Sequence, residues 1–162
     1  MEMRFDIATN FDDDLLRRFG ELGCVRAVYG KLSSDIVGGG RPSYALPKVS
    51  TRALKKHIDV AHENGISFNY LLNAICMDNR ELIGKTNKKI RAFVKFVEDC
   101  GADSVTVGSP SMVGLVKNVS PNLMVSSSVY NDADSLSRIK EWVGMGTDEM
   151  TLHYSYNRNF GK

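Results

Sequence analysis

Residues 101–129, GADSVTVGSPSMVGLVKNVSPNLMVSSSV, hold two short β-rich runs on either side of a helix-patterned stretch, and that succession decides the fold. The runs are Ser104 to Val107 and Leu123 to Val129, with helical spacing from Ser111 to Asn118 between them. A glycine precedes the first run. The same order of helix, glycine and β-rich run returns in GCVRAVY (23–29), GISFNYL (65–71) and GTDEMTLHY (146–154). Four such repetitions specify a βα chain that builds a parallel sheet, the α/β class.

Working outward, the remaining strands are expected at Arg4 to Ala8, Val25 to Tyr29, Ile66 to Asn73 and Glu149 to Tyr154. Helices are expected at Asp13 to Leu22, Thr51 to Asn64, Thr86 to Cys100 and Ala133 to Val143. Ser50, Ser109 and Asp132 stand where the first unpaired N–H groups of a helix need an acceptor, and Gly23, Gly65, Gly101 and Gly144 stand near helix ends. Strands that alternate small polar with apolar residues, as in Val125 to Val129 and Phe68 to Asn73, resemble barrel strands that aim one set of side chains inward. A closed (β/α)8 barrel takes about 250 residues. With six strands, the expectation is an incomplete TIM-type (β/α) barrel of about six parallel strands, forming a single partial domain over residues 1–162.

Composition narrows the function classes. The chain is 43% hydrophobic and 25% charged, which suits a packed domain and argues against disorder. Lys and Arg total 21 against 19 for Asp and Glu; spread along the chain, they give nucleic-acid binding no support from charge alone. No apolar run approaches the roughly 20 residues of a membrane span, and MEMRFDIATN lacks the basic start and apolar core of a secretory signal. A cytoplasmic location is expected. Cys24, Cys76 and Cys100 lack metal-site spacing and are read as buried or half-buried side chains; no metal or other cofactor is expected. His57 and His62, five apart on one helix, are read as surface residues rather than a metal pair.

Parallel α/β proteins carry their sites at the C-terminal ends of the strands, which yields the candidates. The loop of about 20 residues after the second strand contains Gly38, Gly39 and Gly40, which permit close backbone approach, and Arg41, whose fork suits a carboxylate or phosphate. Asn69 and Asn73 are four apart, so a strand aims both to one face; Arg80 and Glu81 follow shortly after. Ser126 and Ser128 share a face of the fifth strand, and His153 ends the sixth. On this reading Arg41 and Arg80 hold an anionic group. Asn69, Asn73, Ser126 and Ser128 orient the substrate, and Glu81 or His153 moves protons. A serine-hydrolase triad is disfavoured, because neither serine lies in a GxSxG elbow and no third orienting residue is evident.

YGKLSSDIVGGGRPSYALPKVS (29–50), ISFNYLLNAICMDNRE (66–81), residues 101–135 and the terminal NRNF together resemble the amino-terminal half of the collagenase-like peptidases. That resemblance implies a TIM-type barrel and an enzyme ancestry, in a class that includes oxygen-independent hydroxylases of RNA bases or ubiquinone precursors carrying a four-cysteine iron–sulfur cluster. The family's cysteine-bearing segment lies beyond Lys162, and the three cysteines present do not match it, so no cluster is expected in this chain. The functional expectation is a truncated barrel, a hydrolase or modifying enzyme acting on a peptide or other polar substrate at the strand ends. The alternative is a non-catalytic scaffold or subunit that needs the missing βα units. Bare edges on the first and sixth strands imply a homo-oligomer or a partner supplying the barrel's other part, with nucleic acid not expected to bind this chain alone.

Overall fold

The computed structural model describes residues 3–39 and 46–156. Strands β1 (Phe5–Ala8), β2 (Val25–Gly30), β3 (Ser67–Leu72), β4 (Ser104–Val107), β5 (Met124–Ser127) and β6 (Glu149–Met150) alternate with helices α1 (Asp13–Leu22), α2 (Thr51–Glu63), α3 (Gly84–Asp99), α4 (Pro110–Val119) and α5 (Leu136–Gly144). The strands lie in sequence order, and every neighbouring pair is parallel. They form a half-barrel.

The period of two divides each strand between two environments. Val28, Phe68, Tyr70, Leu72, Val105, Val107 and Val125 are buried on the outer face against the helices. There they meet Leu16 of α1, Leu54, Ile58 and Ala61 of α2, Ile90, Val94 and Val97 of α3, and Met112, Val113 and Val116 of α4. Burying a side chain of this size favours the folded chain by roughly 1.5–3 kcal/mol. The intervening residues, Asn69, Leu71, Thr106 and Ser126, line the concave face.

Helix starts follow local chemistry. The Asp12 carboxylate accepts from Asp14 and Leu15 N–H, and Ser50 Oγ accepts from Ala53 N–H, each satisfying groups that the helix leaves unpaired. Ser109 occupies an N-cap position without a side-chain cap bond. Asp132 does not cap the fifth helix. It lies at φ 44° after a 3-10 turn over Val129–Asn131, and Ser135 caps α5 instead, accepting from Arg138 N–H. Gly146 at φ 100°, rather than Gly144, makes the turn out of α5.

The sixth strand is shorter than its alternation implies. It ends at Met150, and Leu152 then forms an isolated bridge to Ala133, a segment outside the sheet. His153 therefore lies beyond the strand, before a 3-10 turn at Tyr154–Tyr156. His57 is also corrected: it is 1% exposed, not a surface residue. Its Nδ1 lies 2.7 Å from Asp13 Oδ1 and its Nε2 2.7 Å from Thr9 Oγ1, a chain of bonds that ties the end of β1 and the start of α1 to α2 and makes its burial affordable. Among the cysteines, Cys100 is buried and Cys24 half-buried, but Cys76 is exposed on the loop after β3.

Candidate functional site

The concave face encloses a cavity of about 830 Å³. Its floor is ionic. Arg26, near the start of β2, pairs with Asp6 of β1 and with Glu149 of β6, and its Nε donates to Asp6 Oδ1 at 2.9 Å. The hydrogen bonds to Asp6 and then to Glu149 raise the guanidinium further above its ordinary range, so it stays charged. Ser126 Oγ donates to Glu149 Oε2 at 3.0 Å, linking β5 to the same network. One cation between two carboxylates leaves this floor with a formal charge of −1.

Above the floor the walls are amide, hydroxyl and aromatic. Thr106 Oγ1 donates to Asn69 Oδ1 at 2.8 Å, which leaves the Asn69 NH2 group facing the cavity side of the sheet. Asn73, Ser128, Tyr29 and Tyr130 line the cavity nearer the strand ends. Ser128 Oγ accepts from Tyr130 N–H, so it holds the 3-10 turn that presents Tyr130.

At the rim stands a residue that strand-end reasoning passed over. Lys31, directly after β2, is 3% exposed and pairs at 3.0 Å with Asp35, whose side chain is fully buried. Asp35 Oδ1 accepts from Val37 and Gly38 N–H, and Oδ2 accepts from the Tyr70 hydroxyl at 3.0 Å. Burial first, then the Asp35 charge, pushes the Tyr70 hydroxyl well above the usual phenol range, so it remains a donor. Gly39 lies directly against this group: a Cβ there would fall 2.5 Å from Asn73 Oδ1 and 3.1 Å from Lys31 Nζ. A larger residue there would have to displace the ends of those two side chains. The start of the long loop is thus fastened to β3 by the Tyr70–Asp35 bond, with Gly39 packed beside Asn73.

The candidates divide as follows. Asn69, Asn73, Ser126 and Ser128 share the cavity. Glu81 does not line it; Glu81 sits in a separate groove of about 370 Å³ between α3 and α4, where Ser111 Oγ donates to its Oε1 at 3.3 Å and its buried Oε2 has no protein partner. Arg80 is exposed on the loop, its Nε donating to Met77 O. His153 is outside the cavity lining; its Nδ1 lies 2.8 Å from Ser155 Oγ, and its Nε2 is 4.0 Å from Asp132 Oδ1. Arg41 lies outside the described residues.

A four-thiolate cluster does not fit the residues present. Cys24 precedes β2, Cys100 follows α3, and Cys76 lies on the opposite rim; among the described residues no three metal-ligating side chains converge. Nor is any helix of the described residues long and apolar enough to cross a membrane.

The model of peptidase family U32 matches residues 41–153. The chain belongs to that family. It is 28% identical over 153 residues to a tRNA hydroxylation protein P of Haemophilus influenzae, covering 90% of this chain and 31% of that protein. It is 30% identical over 126 residues to an uncharacterised protease of Methanocaldococcus jannaschii, covering 78% of this chain and 37% of that protein. A solved U32 peptidase superposes with a TM-score of 0.71 at 17% identity, over 97% of this chain and 61% of that one, which supports the barrel-type fold. The U32 chain thus spans about a third of the length of these curated relatives.

Proposed function

We propose that this U32 chain is the substrate-receiving part of a cytoplasmic RNA-base-modifying barrel, and that its concave face takes a planar polar group such as a nucleobase. The observation that carries this reading is the lining. The amides of Asn69, on β3, and Asn73, just beyond it, line the cavity together with Tyr29 and Tyr130. Extruded bases are held in this way, by hydrogen bonds to their edges and stacking on their faces. The hydroxylation named for the Haemophilus relative is a base-directed chemistry compatible with such a cavity.

The hydrolase reading draws on the protease name of the archaeal relative. It has less support from the lining, because Ser126 Oγ is committed to Glu149 and Ser128 Oγ to Tyr130 N–H, with no histidine among the described lining residues. In the base-modifying reading, the Asp6–Arg26–Glu149 floor fixes the shape of the cavity and Asn69 and Asn73 orient the base. The remaining barrel wall comes from further βα units, in a partner or in additional chain.

Deletion of the gene, followed by mass spectrometry of nucleosides from digested total tRNA, tests the proposal. A hydroxylated nucleoside should disappear, return with the wild-type gene and fail to return with Asn69→Ala/Asn73→Ala. An unchanged nucleoside profile on deletion overturns it.

A further inference from the structure

The net charge of +2 conceals a segregation that the fold reveals. Helices in a parallel βα sheet run opposite to the strands, so α2 and α3 begin at the rim where β2 and β3 end. The rim-side turns of both helices carry cations and no acids: Arg52, Lys55 and Lys56 on α2, and Lys85, Lys88 and Lys89 on α3. Each trio has i, i+3, i+4 spacing and so forms one helix face, opposite the buried Leu54 and Ile58 or Ile90 and Val94.

The two trios differ in how they are paired. Lys55 and Lys56 are held by Asp59 and Asp13. Lys85, Lys88 and Lys89 are all exposed and have no ion-pair partner among the described residues, as is also true of Arg52. The carboxylates of α3, Glu98 and Asp99, stand at its far end, where they hold Lys95. The nearest acids on the preceding loop are Asp78, beside Cys76, and Glu81, turned into the α3–α4 groove.

This placement opposes helix stability. The positive end of the helix dipole disfavours cations in the first turn, where Arg52 and Lys85 stand, and α1 obeys the rule with Asp13 and Asp14 in its first turn. A local rule broken on two helices that flank β3, which bears Asn69 and ends just before Asn73, marks a surface shaped by a ligand rather than by folding. Unpaired lysines beside helix amides present the chemistry that binds phosphate oxygens.

We infer that the rim-side face of α3, with Arg52 of α2 beside it, docks the phosphate backbone of the RNA whose base enters the cavity. The inference rests on the base-modifying reading for the identity of the polyanion, and on the lysine placement for the surface.

The test is fluorescence anisotropy of the purified chain with an unmodified tRNA transcript, titrated from 50 to 200 mM salt. Lys85→Glu/Lys88→Glu/Lys89→Glu is compared with a control of equal charge change elsewhere, Arg17→Glu/Arg18→Glu/Lys140→Glu. Each lost phosphate contact lowers the slope of log K against log salt by about 0.7–0.9, so the α3 variant should bind more weakly with a slope shallower by about 2 to 3, and the control should keep the wild-type slope. Because acids suit a helix start, the α3 variant should melt no lower than the wild type, which separates lost binding from lost folding. RNA bound with equal slopes by both variants, or no RNA bound by the wild type at 50 mM salt, overturns the surface. If the α3 variant loses binding while the nucleoside profile is unaffected by gene deletion, the surface stands and the base-modifying reading falls.

Discussion

Arg26 on β2 and Glu149 on β6 form an ion pair across the concave face although three strands separate them in the sheet. The pair closes the floor of an otherwise open half-barrel, and Asp6 completes it on the near side. Arg26→Met leaves two carboxylates facing each other with no cation between them. The side chains are 45%, 39% and 31% exposed, so solvent screens much of the attraction, and the expected loss is about 1 kcal/mol. Urea midpoints should show the loss shrinking from 0.1 to 1 M salt; a loss independent of salt would mean that packing of the Arg26 stem is responsible.

Removing either partner of Lys31 and Asp35 should be far more costly, because both are buried. The two substitutions are not equivalent. Lys31→Met leaves the Asp35 carboxylate with donors from Tyr70, Val37 and Gly38. Asp35→Asn leaves a buried ammonium beside a neutral amide and should cost about 3–5 kcal/mol, more than Lys31→Met. Equal costs in urea unfolding would show that the carboxylate's other bonds contribute nothing.

Asp148 makes the stability of the β5–β6 connection depend on acid. Burial raises its pKa, but the bonds from Lys117 Nζ at 2.6 Å and Val125 N–H at 2.7 Å outweigh this and hold the carboxyl below the ordinary range. A group depressed in the folded state stabilises above its unfolded pKa, about 3.9, and that contribution disappears as pH falls through the folded value. Asp148→Asn should therefore be less stable than the wild type at pH 6, and the two unfolding curves should converge as pH falls from 5 to 2. A constant gap over that range would rule out the charge as the source.

The parts of this fold legible in the sequence are those governed by short-range periodicity. The expected and observed bounds coincide for α1 and β4, and Asn69 and Asn73, evenly spaced, both line the cavity. What was illegible depends on chain direction after an element ends. Asp78 and Asn79 adopt φ 53° and 57° in succession, which turns the chain away from the mouth and carries Glu81 to the outer groove. Lys31 was missed because a lysine after a strand ordinarily projects into water; its buried partner lies four residues on, in a loop where that spacing implies no contact. The Glu149 to Tyr154 alternation stops as a strand at Met150, because beyond it Leu152 bridges to Ala133, outside the sheet.

Among the described residues β1 and β6 each have a strand neighbour on one side, and Phe5 on β1 and Leu152 just beyond β6 are 48% and 46% exposed. Unpaired strand edges beside apolar side chains favour association. Light scattering after gel filtration should give a mass above that of one chain, or one that rises when the remaining βα units are supplied as a second polypeptide. A monomer at micromolar concentration that ignores such a polypeptide would count against the need for a partner.

Two glycines predict opposite outcomes for the same substitution. At Gly108, after β4, a Cβ would fall 2.5 Å from Ala74 O and 2.7 Å from Asn73 O, backbone atoms that cannot rotate aside. Gly108→Ala must push the β4 rim away from the β3 rim and should cost about 1–3 kcal/mol, displacing Asn73 within the cavity. Gly114 is exposed in the interior of α4, with nothing within 4 Å of the same added carbon. Gly114→Ala removes only the entropy cost of glycine in a helix and should stabilise by about 0.8–1.0 kcal/mol. Thermal unfolding of the two variants should therefore shift in opposite directions; a Gly108→Ala variant that melts no lower than the wild type would mean that the close approach of the β3 and β4 rims does not constrain the fold.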